Sequence, residues 1–145
     1  MSTYGLKGLI NRCGVIAGPG QFGNVDQGVF TLWVARHHFG RPLRYTGFGG
    51  TGKQVRDLLA PDDLYDLVRR QLMRMECWTG DAFNVGGGPE GSVSLLEFTN
   101  LCQTATARTV AIESDPTTSP VDVPWYVSDS RKASEVFGWR PLRVS

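Results

Sequence analysis

The chain has 145 residues, which suits one domain and is long enough to bury a hydrophobic core. Its hydrophobic fraction of 41% and charged fraction of 20% are ordinary for a globular protein, and a net charge of +1 gives no electrostatic reason to bind nucleic acid or a membrane surface. Its apolar stretches are too short to span a bilayer, and its first residues lack a signal-peptide pattern. Three widely spaced cysteines favour reduced thiols, so we expect a cytoplasmic protein.

The first half of the chain alternates strand and helix patterns. Residues 9–17 predict a buried strand closed by a Gly-Pro-Gly turn, and a helix is predicted from about Asp26 to Phe39. Residues 43–48 and 54–59 predict two strands on either side of a glycine-rich turn. This arrangement favours a β-hairpin.

The second half continues the alternation and shows no repeat, low-complexity tract or linker. Its predicted elements are a helix opened by Pro61-Asp62-Asp63 and reaching about Met75, a strand at 82–85, a helix begun by a Ser94/Glu97 capping box, a strand at 109–112, a proline-rich loop at 115–124 and a short helix from Ser130 to Phe137. The chain therefore reads as one α/β unit.

Gly47 to Lys53 matches the spacing of a phosphate-binding loop of NTPases. Gln54 stands where Ser or Thr would bind magnesium, and the following residues have a strand pattern, whereas such a loop must run into a helix N-terminus. A turn between strands is therefore favoured over a nucleotide triphosphatase.

Gly86 to Gly91 fits the glycine fingerprint of dinucleotide-binding folds, since it follows a strand and precedes a helix, and Glu113 ends the next strand at a suitable distance. The capping box delays the helix to Ser94, however, and Glu90 would set a negative charge beside a pyrophosphate. An ordinary glycine-rich loop is favoured. Near the N-terminus, Tyr-x-x-Lys at 4–7 is one residue short of a catalytic Tyr-x-x-x-Lys pair.

Six motifs, in this order along the chain, carry a family resemblance: Arg12–Pro19, Arg56-Asp57, Pro61–Leu64, Phe83–Gly88, Asp129–Ala133 and Gly138–Pro141. Together they resemble the C-terminal half of extended short-chain dehydrogenase/reductases of the NAD-dependent epimerase/dehydratase family. Within that family, residues 11–19, 25–28 and 47–57 are similar to the CDP-paratose 2-epimerases, also called CDP-tyvelose 2-epimerases.

The resemblance implies a Rossmann-like α/β fold in which residues 1–145 form a single substrate-binding portion, without the N-terminal dinucleotide-binding half. It implies an isomerase that moves a hydride from the sugar to NAD and back with inverted configuration. Because the NAD fingerprint and the Tyr-x-x-x-Lys pair belong to the N-terminal half in this family, we expect the isolated chain to bind no cofactor, hold no catalytic residue and be inactive. The expected partners are a CDP-sugar and an N-terminal half on a separate chain, and self-association is left open.

Arg56 is the main candidate for substrate contact. The resemblance implies that it meets the diphosphate of the nucleotide-sugar, and a guanidinium fork suits phosphate oxygens. The alternative is a structural ion pair with Asp57 or Asp63.

The resemblance suggests substrate contacts at five further positions, and each has an alternative role. Asp26 and Gln27 contact the sugar or the nucleotide, or else cap the following helix. Tyr45 and Phe48 flank the nucleotide base, or else belong to the core. Lys53 adds a phosphate contact, or else is a solvated turn residue. Two alternatives to the epimerase are a CDP-sugar-binding module without catalysis and another epimerase or dehydratase of the same family.

Overall fold

The computed structural model describes residues 4–23 and 28–142. In chain order the elements are β1 (Ile10–Cys13), β2 (Val15–Ile16), α1 (Val29–His38), β3 (Leu43–Thr46), β4 (Val55–Leu59), α2 (Pro61–Leu72), β5 (Ala82–Val85), β6 (Ser92–Ser94), α3 (Leu95–Thr106), β7 (Ile112–Asp115), β8 (Trp125–Tyr126) and α4 (Arg131–Phe137). The alternation of strands and helices confirms the predicted α/β class.

The chain divides into two compact units. The first comprises Met1–Ile16, Asp57–Ser92 and Val127–Ser145, and the second comprises Ala17–Arg56 and Val93–Tyr126.

In the first unit, β1 pairs in parallel with β5, and β2 pairs in parallel with the end of β4. The core of this unit is built from residues of β4, β5, α2, α4 and the segment after α4: Leu59, Leu67, Phe83, Val85, Ala133, Phe137 and Trp139. The predicted strand 9–17 is therefore two strands that pair with different neighbours, separated at Gly14, whose amide donates to the Val85 carbonyl at 2.8 Å.

The Gly-Trp motif after α4 has a packing role. Gly138 ends the helix in the left-handed conformation with a φ of 61°, which glycine adopts without strain. The turn delivers Trp139 into the core, where it is 0% exposed and its indole Nε1 donates to the Asp63 carbonyl at 2.9 Å. A buried tryptophan needs such a partner for its N–H group.

In the second unit, β3 pairs in parallel with β7, and β8 pairs in parallel with the start of β4. Helix α1 packs against α3, with the Phe30 and Phe98 rings edge to face at 5.0 Å. The predicted hairpin between residues 43–48 and 54–59 is wrong, because each of these strands pairs with strands distant in sequence. The strand predicted at 109–112 lies three residues later.

Candidate functional site

Arg56 lies on β4 in the second unit, with 18% of its side chain exposed. Its Nη1 donates to the Val55 carbonyl at 2.8 Å, and its Nη2 donates to Asp122 Oδ1 at 2.7 Å. The ion-pair partner is thus Asp122, which the sequence did not indicate. A guanidinium has five N–H donors, so within the described residues three remain for another acceptor.

Tyr45 belongs to a hydrogen-bonded cluster in the interior of the second unit. Its ring stacks on Trp33 at a centroid distance of 5.7 Å, and its hydroxyl lies 2.7 Å from Thr99 Oγ1. The same Thr99 oxygen accepts from Trp33 Nε1 and donates to the Leu95 carbonyl, which satisfies both its acceptor sites and its one donor. The structure therefore favours the core role of Tyr45.

Glycine at position 52 makes this arrangement possible. A Cβ atom there would lie 2.6 Å from Tyr45 Cε1, and the φ of +68° falls in the left-handed region. The tyrosine ring therefore packs directly on the backbone of the glycine-rich turn that the sequence presented as a phosphate-binding loop. That turn runs into β4 and not into a helix, so it is not the phosphate-binding loop of an NTPase.

A pocket of about 540 Å³ opens in the second unit between α1 and the β3–β7 pair. Side chains alternate along a strand, so the residues on either side of the inward-facing Tyr45, Arg44 and Thr46, face away from the core, and both line this pocket. Its full lining is Val29, Leu32, Trp33, Arg36, Pro42, Leu43, Arg44, Thr46, Gln54, Leu95 and Glu113. An apolar floor with a few polar groups is typical of sites for small molecules.

Arg44 and Glu113 form the charged wall of the pocket. They lie directly opposite each other in the β3–β7 register, and Arg44 Nε and Nη2 both donate to Glu113 Oε2, at 3.0 and 2.6 Å. The hydrogen bonds and charge of Glu113 raise the pKa of Arg44 above its usual value. The pair leaves Glu113 Oε1 and Arg44 Nη1 without partners in the part of the chain that the structure describes.

Gln54 connects the pocket to Arg56. Its Nε2 donates to the Thr46 carbonyl at 3.3 Å, and its side chain is part of the pocket wall. Gln54 lies two residues before Arg56, and side chains two residues apart along an extended segment project to the same side, about 7 Å apart. A ligand that lies along this segment would therefore reach both the pocket and the guanidinium.

Comparison with known proteins identifies the family. The model of the NAD dependent epimerase/dehydratase family matches residues 1–86, which is more than half of the chain. The chain belongs to this family.

Three relatives illustrate the range of this epimerase/dehydratase family. The CDP-paratose 2-epimerase of Salmonella typhi is 29% identical over 95% of this chain and 41% of its own length. The dTDP-glucose 4,6-dehydratase of Xanthomonas campestris pv. campestris is also 29% identical, over 96% of this chain and 39% of its own. The structure of Thermotoga maritima UDP-glucose 4-epimerase with UDP-glucose is similar with a TM-score of 0.78 and 28% identity, over 97% of this chain and 42% of that one. The chain thus spans about two fifths of the length of these proteins.

NAD is the cofactor named by the family, and Gly86 to Gly91 is the segment of this chain that most resembles a dinucleotide loop. The arrangement does not fit a pyrophosphate. The Gly88 amide already donates to Asp57 Oδ2 at 3.1 Å, and Glu90 lines the pocket beside the loop. Helix α3 begins with a closed capping box, in which Ser94 Oγ accepts from the Glu97 amide, and the Leu95 and Leu96 amides donate to the Gln54 and Gly52 carbonyls, so these three amides are engaged.

The glycines of this loop instead allow close packing on a buried carboxylate. A Cβ atom at Gly86 would lie 2.1 Å from Asp57 Oδ2 and 2.4 Å from Ser128 Oγ. Asp57 is 0% exposed and also accepts from the Ser128 amide at 3.0 Å. The two residues of the Arg-Asp motif on β4 therefore have different surroundings, because Arg56 keeps N–H donors beyond those given to Val55 and Asp122, while Asp57 anchors two loops.

Four other residues were predicted to contact the substrate: Asp26, Gln27, Phe48 and Lys53. Phe48 begins a short 3-10 turn with a φ of 48°, and its amide donates to Thr118 Oγ1 at 2.8 Å. Lys53 is exposed. Asp26 and Gln27 lie outside the described residues, so their contacts with sugar or nucleotide stay predictions.

Histidines and cysteines form no metal centre in the described segments, where no three His, Cys, Asp or Glu side chains are placed to hold an ion. His37 is buried, with its Nδ1 donating to the Trp33 carbonyl at 2.8 Å, and the next residue, His38, is exposed. Within the same segments no helix is both long and apolar enough to cross a membrane.

The pocket residues Arg44, Thr46, Gln54 and Glu113, and the Arg56 partner Asp122, were not identified from the sequence. Alternation along β3 could have identified two of them, because an inward-facing Tyr45 requires Arg44 and Thr46 to face outward. Glu113 was noted only as the acid following the dinucleotide-type fingerprint, and neither its pairing with Arg44 nor that of Asp122 with Arg56 had a local signal, since the partners lie 69 and 66 residues away in sequence.

Proposed function

We propose that this chain is the nucleotide-sugar-binding portion of an NAD-dependent epimerase of the CDP-paratose (CDP-tyvelose) 2-epimerase type. The observation that carries the proposal is a largely covered guanidinium, Arg56, oriented by two oxygens and two residues along the chain from Gln54, which lines a pocket of about 540 Å³. The matching family and the nucleotide-sugar names of the relatives support the same class of substrate.

The residues of the second unit bind and orient the substrate in this proposal. Arg56 donates to the diphosphate through the N–H groups that Val55 and Asp122 leave unused, and charge-assisted bonds of this kind are the strong ones. The nucleoside occupies the pocket beside Gln54 and Thr46. The diphosphate, which joins the nucleoside to the sugar, then lies at Arg56. The chemistry that NAD supplies when bound is reversible hydride transfer, and the work of this chain is positioning.

Asp122 sets the charge balance at the diphosphate position. Its carboxylate holds the Arg56 fork in one orientation, but it also places a negative charge near an incoming phosphate. Its side chain is 40% exposed, so water screens this repulsion. The two roles oppose each other, and removing the charge while keeping the shape changes affinity little.

The test compares Arg56→Ala with Asp122→Asn in calorimetric titrations of the chain with CDP and with a CDP-sugar. Arg56→Ala should weaken binding by about 2–4 kcal/mol, because a charge-assisted contact is lost. Asp122→Asn should keep the affinity within about threefold, a change of roughly 0.7 kcal/mol. If Arg56 serves only the ion pair, the two variants lose the same stability and neither changes affinity, and the proposal fails.

A dehydratase is the second candidate, because the dTDP-glucose 4,6-dehydratase relative has the same identity as the epimerase. The two reactions give different products from a nucleotide-sugar, since a dehydratase eliminates water and an epimerase conserves mass. Mass spectrometry of the product made by the complete enzyme separates them. A loss of 18 mass units would replace the epimerase proposal with the dehydratase.

A further inference from the structure

The pocket wall contains a donor and an acceptor side by side. Arg44 directs two of its N–H groups to a single oxygen of Glu113, Oε2. Within the described residues this leaves Oε1 of Glu113 as an acceptor and Nη1 of Arg44 as a donor. The two strands fix the pair, because Arg44 and Glu113 are opposite each other in the parallel register.

We propose that the Arg44–Glu113 pair reads the base edge of cytosine and so makes the site selective for CDP over UDP and dTDP. The inference rests on the proposed function, since it assigns the base end of the same ligand. Cytosine presents an amino donor at N4 beside acceptors at N3 and O2. The amino group can donate to Glu113 Oε1, and N3 or O2 can accept from Arg44 Nη1. Glutamate accepting from the cytosine amino group is an established pairing in base recognition.

Uracil and thymine carry an oxygen at C4 in place of the amino group. A carboxylate oxygen facing that carbonyl sets two acceptors against each other, which repels the wrong base. Arg36 and Thr46 also line the pocket and add donors, whereas Glu113 is the acid among the lining residues, so its free oxygen is the charged acceptor that an amino group can meet. The Gln54 amide nitrogen is engaged with the Thr46 carbonyl. In the placement that pairs Glu113 with position 4 and Arg44 with N3, uracil and thymine are mismatched at both atoms, because their N3 carries a hydrogen and their position 4 carries an oxygen.

The pair is exposed enough to be altered without disturbing the fold. The side chains of Arg44 and Glu113 are 58% and 65% exposed, and neither belongs to the buried core. Glu113→Gln keeps an oxygen for Arg44 and replaces the second acceptor with an NH2 donor. The substitution thus reverses the hydrogen-bond polarity offered to position 4 of the base.

The experiment measures dissociation constants of the chain for CDP, UDP and dTDP at one low salt concentration. The wild type should bind CDP about tenfold more tightly than UDP or dTDP. Glu113→Gln should lose about tenfold in CDP affinity and retain or improve UDP affinity. Glu135→Gln, an exposed acid on α4, is the matched control and should leave all three constants unchanged.

A modified ligand tests the same contact without a variant. N4,N4-dimethyl-CDP has no amino donor, so it should bind the wild type about tenfold more weakly than CDP and bind Glu113→Gln no worse than CDP does. Equal wild-type affinities for CDP and UDP, or equal losses for both in Glu113→Gln, would overturn the cytosine assignment while leaving nucleotide binding intact. Failure of the wild type to bind any of the three diphosphates would overturn the proposed function and, with it, this inference.

Discussion

Adjacent residues on β4 have opposite surroundings. Arg56 is partly exposed and pairs with Asp122, whereas Asp57 is 0% exposed and accepts from the amides of Gly88 and Ser128 at 3.1 and 3.0 Å. Alternation along the strand separates them, so in the proposed function one residue of the motif binds substrate and the other stabilises the fold. Asp57 thereby joins the loop after β5 to the segment before α4, which are far apart in sequence.

Asp57→Ala should destabilise the chain by about 2–5 kcal/mol, because it leaves two buried N–H groups without an acceptor. Asp57→Asn keeps one side-chain oxygen and should cost less. Urea unfolding followed by circular dichroism measures both. A loss below about 1 kcal/mol for the alanine variant would mean that water replaces the carboxylate, and the anchoring role would be wrong.

Gly86→Ala tests the same contact from the opposite side. The added Cβ would meet Asp57 Oδ2 at 2.1 Å, so the loop or the carboxylate must move, at a cost of about 1–3 kcal/mol. Gly8→Ala is the matched control, since a Cβ there meets nothing within 4 Å and its backbone is outside the left-handed region. The two variants are compared by thermal unfolding, and equal melting temperatures would show that the loop relaxes freely.

Asp57 and Gly86 stand in motifs that the sequence analysis identified, but neither Ser128 nor the contact itself was predicted. Gly86 to Gly88 was read as a glycine-rich loop, and Asp57 was weighed only as a partner for Arg56. The hydrogen bonds to Asp57 come from residues 31 and 71 positions away. No local pattern encodes such distances, whereas the strand alternation that separates Arg56 from Asp57 is local and was available.

Helix α3 shows an element whose start is encoded within four residues. Ser94 Oγ accepts from the Glu97 amide at 3.1 Å, and Glu97 Oε2 accepts from the Ser94 amide at 2.8 Å, as the predicted capping box requires. Hydrogen bonds from the Ser94 side chain and backbone lower the pKa of Glu97. The helix start is therefore linked to pH.

Glu97→Gln should reduce stability at neutral pH and lose its effect in acid. A depressed carboxyl pKa adds stability above the unfolded value of about 4.3, and this is lost as the pH falls through the lower folded value. The difference in unfolding free energy between wild type and variant should thus be present at pH 7 and shrink toward pH 3. A difference that is constant with pH would show that the charge of Glu97 contributes nothing to the cap.

Trp139→Ala tests how much the segment after α4 stabilises the first unit. Removing a fully buried tryptophan and its bond to the Asp63 carbonyl should cost about 3–5 kcal/mol. Chemical denaturation gives the value, and Trp125→Ala is a suitable control because that ring is 65% exposed. Comparable losses for the two tryptophans would contradict the assigned core.

Which strands pair with each other could not be predicted from the sequence. The helix starts at Pro61 and Ser94 and the strand Ala82–Val85 follow from local signals, and each is confirmed. The hairpin was wrong because β3 and β7, like β4 and β8, pair across about 70 residues. A glycine-rich turn between two strand patterns looks the same whether the strands join each other or distant partners.

At the scale of the whole molecule, binding and chemistry are assigned to different parts of the polypeptide. In the proposed function the second unit binds the nucleotide-sugar, whereas the amide of Gly88 in the loop from Gly86 to Gly91 is already engaged with Asp57. The chain covers 41% of the length of the Salmonella relative, so the proposal assigns hydride transfer to a portion beyond these 145 residues. Titration should then give CDP binding without stoichiometric NAD binding.

A complementation experiment decides between an epimerase portion and a module that only captures CDP-sugars. The chain is mixed with a separately expressed dinucleotide-binding half from this family, and the sugar is analysed after incubation with NAD. Epimerised sugar from the mixture, and none from either part alone, is the expected result, because the substrate must be held against the nicotinamide for the hydride to return to the opposite face. If CDP binding persists but the mixture yields no product, the chain acts as a binding module. Stoichiometric NAD on the isolated chain would contradict the division itself.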